Sequence, residues 1–241
     1  MGGAGLDVAV SVRSMVLPPP YTSHWLASGD VFEAACQRAF DEGAGALICH
    51  RSTGQGKPGR LDFAVVLEPN MPLAEARKAL LVGMVALADA VAAHAPPERD
   101  IRFEWPTGLV LDGSRLGGMR VAIAPDTQED SAPDWMVLGI ELIADRDHLD
   151  QAGSHPGSVS LKEEEFSDPL AIIESFGAHL MLYFDRWTHG GFETIGQDYA
   201  GRLTESAALG DAGERVLNGE AESLEAGLAQ AAWRDANGPS L

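Results

Sequence analysis

The sequence predicts an α+β fold: a mixed, largely antiparallel β-sheet packed against helices. Three observations lead there. Strand-like segments follow one another through 100–144, where a doubly wound parallel fold would alternate them with helices. Asp112-Gly113 lies between two apolar segments, a hairpin turn signal. Residues 72–95 are rich in Ala, Leu and Val, with Pro72 at the start and Pro96-Pro97 beyond the end, which marks a helix.

The elements follow in order. Val8, Val10 and Val12 alternate through 7–16, as in a strand, and Pro18, Pro19 and Pro20 stop it. A helix starts near Asp30, with Glu33 placed for a capping box, and stops at Gly43. Residues 46–49 form a short buried strand, 52–60 a loop and 61–67 another strand. After the 72–95 helix, Ile101, Phe103 and Trp105 alternate along 100–105, and 109–111 and 116–124 flank the Asp112-Gly113 turn. Residues 135–144 are apolar on both faces and belong at the sheet centre. Residues 126–133 and 145–160 are polar and irregular. A helix begins at Asp168-Pro169 and ends at Gly190-Gly191, and 192–205 and 220–233 are read as further helices.

Composition narrows the function. At 241 residues, with 45% hydrophobic and 22% charged residues, the chain can build a core and is not wholly disordered. No apolar run approaches the roughly 20 residues of a membrane span, and the N-terminus lacks the basic start and apolar block of a secretory leader. Two cysteines, Cys36 and Cys49, are too few for a disulfide scaffold, so a cytoplasmic location is expected. Lys and Arg number 17 against 36 Asp and Glu, a net charge of −19, which argues against nucleic acid as a partner.

Two segments carry candidate chemistry. Ser52-Thr53-Gly54-Gln55-Gly56-Lys57-Pro58-Gly59-Arg60 lies between two strands. Its glycines let backbone N–H groups converge, and Lys57 and Arg60 add positive charge, so the loop can wrap a phosphate or carboxylate. It lacks Walker spacing, and a basic surface loop is the alternative. The second segment runs Phe103-Glu104-Trp105-Pro106-Thr107-Gly108, then Leu111-Asp112-Gly113-Ser114-Arg115-Leu116-Gly117-Gly118. Paired glycines inside a strand mark either close approach by a ligand or a bulged hairpin.

Together these segments resemble the biotin/lipoate protein ligase family, whose members carry a Gly-Arg-Gly-Arg-x-Gly-Arg loop, a long helix, Lys-Trp-Pro-Asn-Asp, a turn and Gly-Arg-Lys-Leu-Gly-Gly. The matching stretches here are 54–60, 104–108 and 113–118, in the same order and with similar intervening lengths. Ser28-Gly29-Asp30 stands where the family has Ser-Thr-Asn, and residues 137–142 stand where it has an apolar strand with Gly-Ile-Asn-Val. The likeness covers about 20–205. It implies the class II synthetase-like ligase fold over 1–205. Residues 206–241 are read from their composition as a small helical C-terminal extension, with three alternatives: it covers the pocket, it joins two copies as in a homodimer, or it packs through an amphipathic face.

The resemblance implies a two-step reaction. ATP, with Mg, and a small-molecule acid such as biotin or lipoate give an acyl-adenylate, and the acyl group passes to a lysine of a carrier protein. It places Ser28, Gly29, Asp30, Arg51, Ser52, Gly54, Gln55, Gly56, Lys57, Arg60, Glu104, Trp105, Arg115, Gly117, Gly118 and Glu141 around the ligand, and it names no catalytic residue.

The departures fall on the chemistry. Glu104 replaces the family lysine, Thr107-Gly108 replaces Asn-Asp, Gln55 and Lys57 replace loop arginines, and Glu141 replaces the strand Asn. Adenylation brings a carboxylate against a phosphate and needs fixed cations there. Arg51 and Arg115 are candidate replacements, and Arg102, on the same strand face as Glu104, is a candidate ion-pair partner. Glu141 interrupts an apolar strand; if buried it must be paired or neutral. Other groups are weaker. His148 and His155 with Asp145 and Asp147 lack diagnostic metal spacing, His179 reads as packed or at the surface, and Cys49 and His50 point to opposite strand faces.

Overall fold

In the computed structural model, residues 15–149 and 155–241 are described. The strand expected over 7–16 lies, but for its last two positions, outside the described residues.

Asp30 opens the first helix, α1 (Val31–Glu42). Its carboxylate accepts from the backbone N–H groups of Phe32 and Glu33, and Gly43 at φ +74° ends the helix. Glu33 does not close a capping box; it turns instead to Arg120, 3.5 Å away.

Seven strands form one sheet: β1 (Thr22–Trp25), β2 (Ala46–Cys49), β3 (Arg60–Leu67), β4 (Ile101–Glu104), β5 (Gly108–Leu111), β6 (Ser114–Ile123) and β7 (Met136–Ile143). Their order is β1-β2-β3-β7-β6-β5-β4, and only the β1–β2 pair is parallel. The mixed, largely antiparallel sheet is therefore as expected, and β7 lies at its centre. Asp112 and Gly113, both at positive φ, form the β5–β6 turn.

Alternation along the strands divides the two faces. Leu61, Phe63 and Val65 of β3 and Leu138, Ile140 and Leu142 of β7 face the main core. There they meet α3 (Ala79–Ala92), buried around nearly its whole circumference, and α4 (Ala171–Gly190). A four-residue turn of helix, α2 (Leu73–Ala76), precedes α3. The expected 72–95 helix breaks between them because Lys78 and Leu80 bond three residues back instead of four. Helix α5 (Glu193–Gly201) occupies part of 192–205.

On the opposite face, α1 packs Val31, Phe32, Ala35 and Ala39 against Ala64, Val66 and Val137. It covers only one end of that face. Toward the other end the same alternating rows present Arg60, Asp62, Glu141, Gly118 and Arg120.

The helix read over 220–233 is corrected. Only α6 (Leu224–Gln230), capped by Ser223, is helical there. The rest of 206–241 holds a small meander, β8 (Ala208–Leu209), β9 (Arg215–Leu217) and β10 (Glu220–Glu222), and a hairpin, β11 (Arg234–Asp235) with β12 (Gly238–Pro239). Asn218-Gly219, both at positive φ, makes the β9–β10 turn; this hairpin signal outweighs the Ala/Glu composition. Among the described residues no helix is long and apolar enough to cross a membrane.

Candidate functional site

Strand register sets the site. Asp62 lies opposite Glu141, Glu141 opposite Gly118, Gly118 opposite Gly108 and Gly108 opposite Glu104. Directly opposed residues share a face, so one row across five strands carries three carboxylates and a two-glycine floor. At the usual strand spacing the floor separates Glu141 from Glu104 by about 14 Å.

The glycine-rich loop closes one side. Gln55 donates to the Ala27 carbonyl at 2.9 Å and accepts from the Arg51 backbone N–H. The His50 ring nitrogens lie 2.9 and 3.2 Å from the carbonyls of Leu26 and Gly29, and Gly56 packs against that ring. Cys49 faces the main core, opposite His50, as alternation required. Lys57 reaches Asp30 at 3.3 Å, which ties the loop to the N-terminus of α1.

Charges interlock over the row. Glu141 is 4% exposed and meets Arg60 and Arg120, each at 3.2 Å, and Arg234 at 3.0 Å. Arg60 also meets Asp62 at 3.2 Å, and Arg120 meets Asp30 and Glu33. Four cations thus face four carboxylates in one connected group. Burial opposes ionisation of Asp30, but the Glu33 backbone N–H, Lys57 and Arg120 hold its carboxyl below the usual value. Asp62 goes the other way: burial raises it from 3.8 to about 6, with Arg60 pulling it down and Glu141 pushing it up.

That shift predicts a pH dependence. The folded chain holds a proton on Asp62 between about pH 4 and 6 that the unfolded chain releases. Stability from this group therefore rises as pH falls through that window, and the cost of ionisation is fully present above it. Asp62→Asn is expected to raise stability by about 2–3 kcal/mol at pH 7.5 and to lose most of that advantage by pH 4.5. Melting temperatures of both proteins at the two pH values check this.

The C-terminal segment lies on the glycine floor. Trp233, 3% exposed, donates from Nε1 to Thr107 Oγ1 at 2.9 Å. A Cβ on Gly118 would fall 2.6 Å from its ring, and one on Gly108 would fall 3.2 Å from the Trp233 Cβ. Arg60 donates to the Asn237 carbonyl, and Gly238 packs on its guanidinium. Nearby, Lys57, Arg60, Asp145, His148, Asn237 and Ser240 line a cleft of about 520 Å³.

Several expectations are thereby sorted. Asp30, Gly56, Lys57, Arg60, Gly118 and Glu141 converge on one side of the sheet. Glu104 does not pair with Arg102, which turns to Asp100 at 2.9 Å. It pairs with Arg115 at 3.0 Å, so Arg115 is not a free cation. Arg51 stacks on Trp25 at 4.8 Å, outside the charged group, and Ser28 and Ser52 are exposed. Trp105 lies under α6, where Gly227 packs on its indole, and makes an edge contact with Tyr199.

Gly117 is not a pocket wall. At φ +154°, its Cβ would strike the Glu141 carbonyl and lie 2.9 Å from Leu142 Cα. Gly117→Val is thus expected to disrupt β6–β7 pairing at a cost of about 3 kcal/mol. A thermal melt checks this; unchanged melting with impaired ligand binding would return Gly117 to the pocket. Sequence reading missed Asp62, Arg120, Trp233 and Arg234. Period two could have given Arg120, two residues beyond Gly118, and Asp62, two beyond Arg60.

Comparison with known proteins bears on family and fold. A model of the biotin/lipoate A/B protein ligase family matches residues 17–201. The bifunctional ligase/repressor BirA of Bacillus spizizenii is 25% identical over 207 residues, 82% of this chain and 60% of that protein. The chain therefore spans less than two thirds of that relative's length. A biotin protein ligase-like protein of unknown function from Silicibacter sp. TM1040 is 30% identical, with a TM-score of 0.71 over 86% of each chain. The biotin protein ligase of Aquifex aeolicus, in complex with biotin and ATP, has a TM-score of 0.59 at 12% identity, over 83% of this chain and 94% of that one, a likeness of fold. On the strength of the match across 17–201, and of a sheet built as in those ligases, the chain belongs to the biotin/lipoate A/B protein ligase family.

Proposed function

We propose that this protein binds a small carboxylic acid of the biotin or lipoate kind, or its adenylate, between the 54–60 loop and the Gly108–Gly118 floor, and that it has lost rapid adenylation. The carrying observation is the pairing of Glu104 with Arg115 where the family has a lysine. That pairing leaves an anion, with its own counter-ion, where the reaction needs a free cation. Arg60 and Arg120 remain as guanidinium groups that a carboxylate can engage by exchange with Glu141.

The triphosphate and magnesium used by the family do not fit this charge pattern. Each cation over the row is already balanced by a carboxylate, and the Glu104–Arg115 pair offers no free cation where negative charge would gather. Calorimetric titration with biotin, with lipoate and with a non-hydrolysable acyl-adenylate analogue tests the reading. Saturable binding of one of them, weakened by Arg60→Ala, is the expected result. No binding of any of the three, by the native chain or by a Trp233→Ala variant, would overturn it.

A further inference from the structure

We propose that residues 231–241 are an internal, displaceable occupant of the ligand site, with Trp233 in the slot and Arg234 on Glu141; the role of this segment as a gate rests on the binding reading above. The segment touches the row at three points. The indole lies on Gly108 and Gly118 with its N–H on Thr107. The Arg234 guanidinium donates to the Glu141 carboxylate at 3.0 Å. The Asn237 carbonyl and Gly238 cap Arg60. A flat ring, an adjoining charge and a carbonyl thus take the places a small ligand's ring and polar groups would take.

Its attachment is light for a segment that buries a tryptophan. Two two-residue strands and the seven-residue α6 hold it, and the Ser240 backbone N–H closes it onto the Trp233 carbonyl. Its seat is also imperfect. Among the described residues, Arg60 Nε is buried without an acceptor beneath Gly238 of the segment, and Trp105 Nε1 likewise beneath the adjoining α6. Such orphaned donors mark a place where another partner can be accommodated. The 520 Å³ cleft beside Arg60 is walled on one side by Asp235, Asn237, Pro239, Ser240 and Leu241 of the segment itself, so lifting the segment would open that space toward the glycine floor.

The test compares the native chain with full-length Trp233→Ala and with the milder Arg234→Ala, both checked for a cooperative melt. Biotin, lipoate and free indole are the probes, read by calorimetry and by amide hydrogen exchange at Ser240. Expected are at least tenfold tighter binding of an acid to Trp233→Ala, a smaller gain for Arg234→Ala, and faster Ser240 exchange when the acid saturates the native chain. Equal acid binding by all three, with unchanged Ser240 exchange, overturns the displaceable occupant and leaves the binding reading standing. If no acid binds any form, the binding reading falls and indole decides. Indole that binds Trp233→Ala and, in excess, speeds native Ser240 exchange supports the proposal; indole that does neither overturns it.

Discussion

With ATP and either biotin or lipoate, the protein is expected to release pyrophosphate roughly a thousandfold more slowly than a ligase carrying lysine where Glu104 stands. The family resemblance puts position 104 against the α-phosphate. A lysine about 4 Å from a phosphate charge supplies roughly 4 kcal/mol at an effective dielectric near 20, and each 1.36 kcal/mol on the barrier is about a factor of ten. That attraction is lost here. Glu104 and Arg115, 3.0 Å apart, answer each other's charge, so Arg115 does not replace the lysine. Isotope exchange between ATP and pyrophosphate measures the rate, and rapid exchange with either acid would refute the loss of adenylation.

Glu141→Gln is expected to destabilise the fold by about 3–5 kcal/mol, because it leaves guanidinium groups without the buried carboxylate they share. For a chain of this size that is roughly 6–20 °C in melting temperature. Arg60 suffers most, being 9% exposed, while Arg120 and Arg234 can turn partly to water. Two further effects identify the cause. With the like charge removed, the Asp62 carboxyl falls toward its ordinary value, so the stability change between pH 4 and 6 shrinks. With its partner gone, Arg234 loosens and Ser240 exchanges faster. A melting temperature within 2 °C of the native one would show that Glu141 does not organise this group.

Much of the architecture was legible in local signals. Asp112-Gly113 fixed a hairpin because both turn positions need positive φ. The apolar run through 136–143 marked the central strand because a strand buried on both faces has no solvent side to make polar. Asp30 and Gly43 bounded α1 through their capping chemistry. Local rules also held a hint that composition overrode: Asn218-Gly219 is a hairpin turn immediately before the 220–233 stretch, whose Ala and Glu content reads as helix. The strand at Thr22–Trp25 was hidden because four residues beside prolines show too little alternation.

The sequence by itself determined the family, the sheet and the loss of the lysine at 104, since each is written in residue type, spacing and order along the chain. Only the tertiary structure decided what Glu104 and Glu141 pair with and what lies over the glycines. Arg115 is 11 residues from Glu104, Arg234 is 93 from Glu141, and Trp233 is 126 from Thr107. Strand pairing fixes such partners through space, and no periodicity along the chain records which distant side chain a register brings into contact.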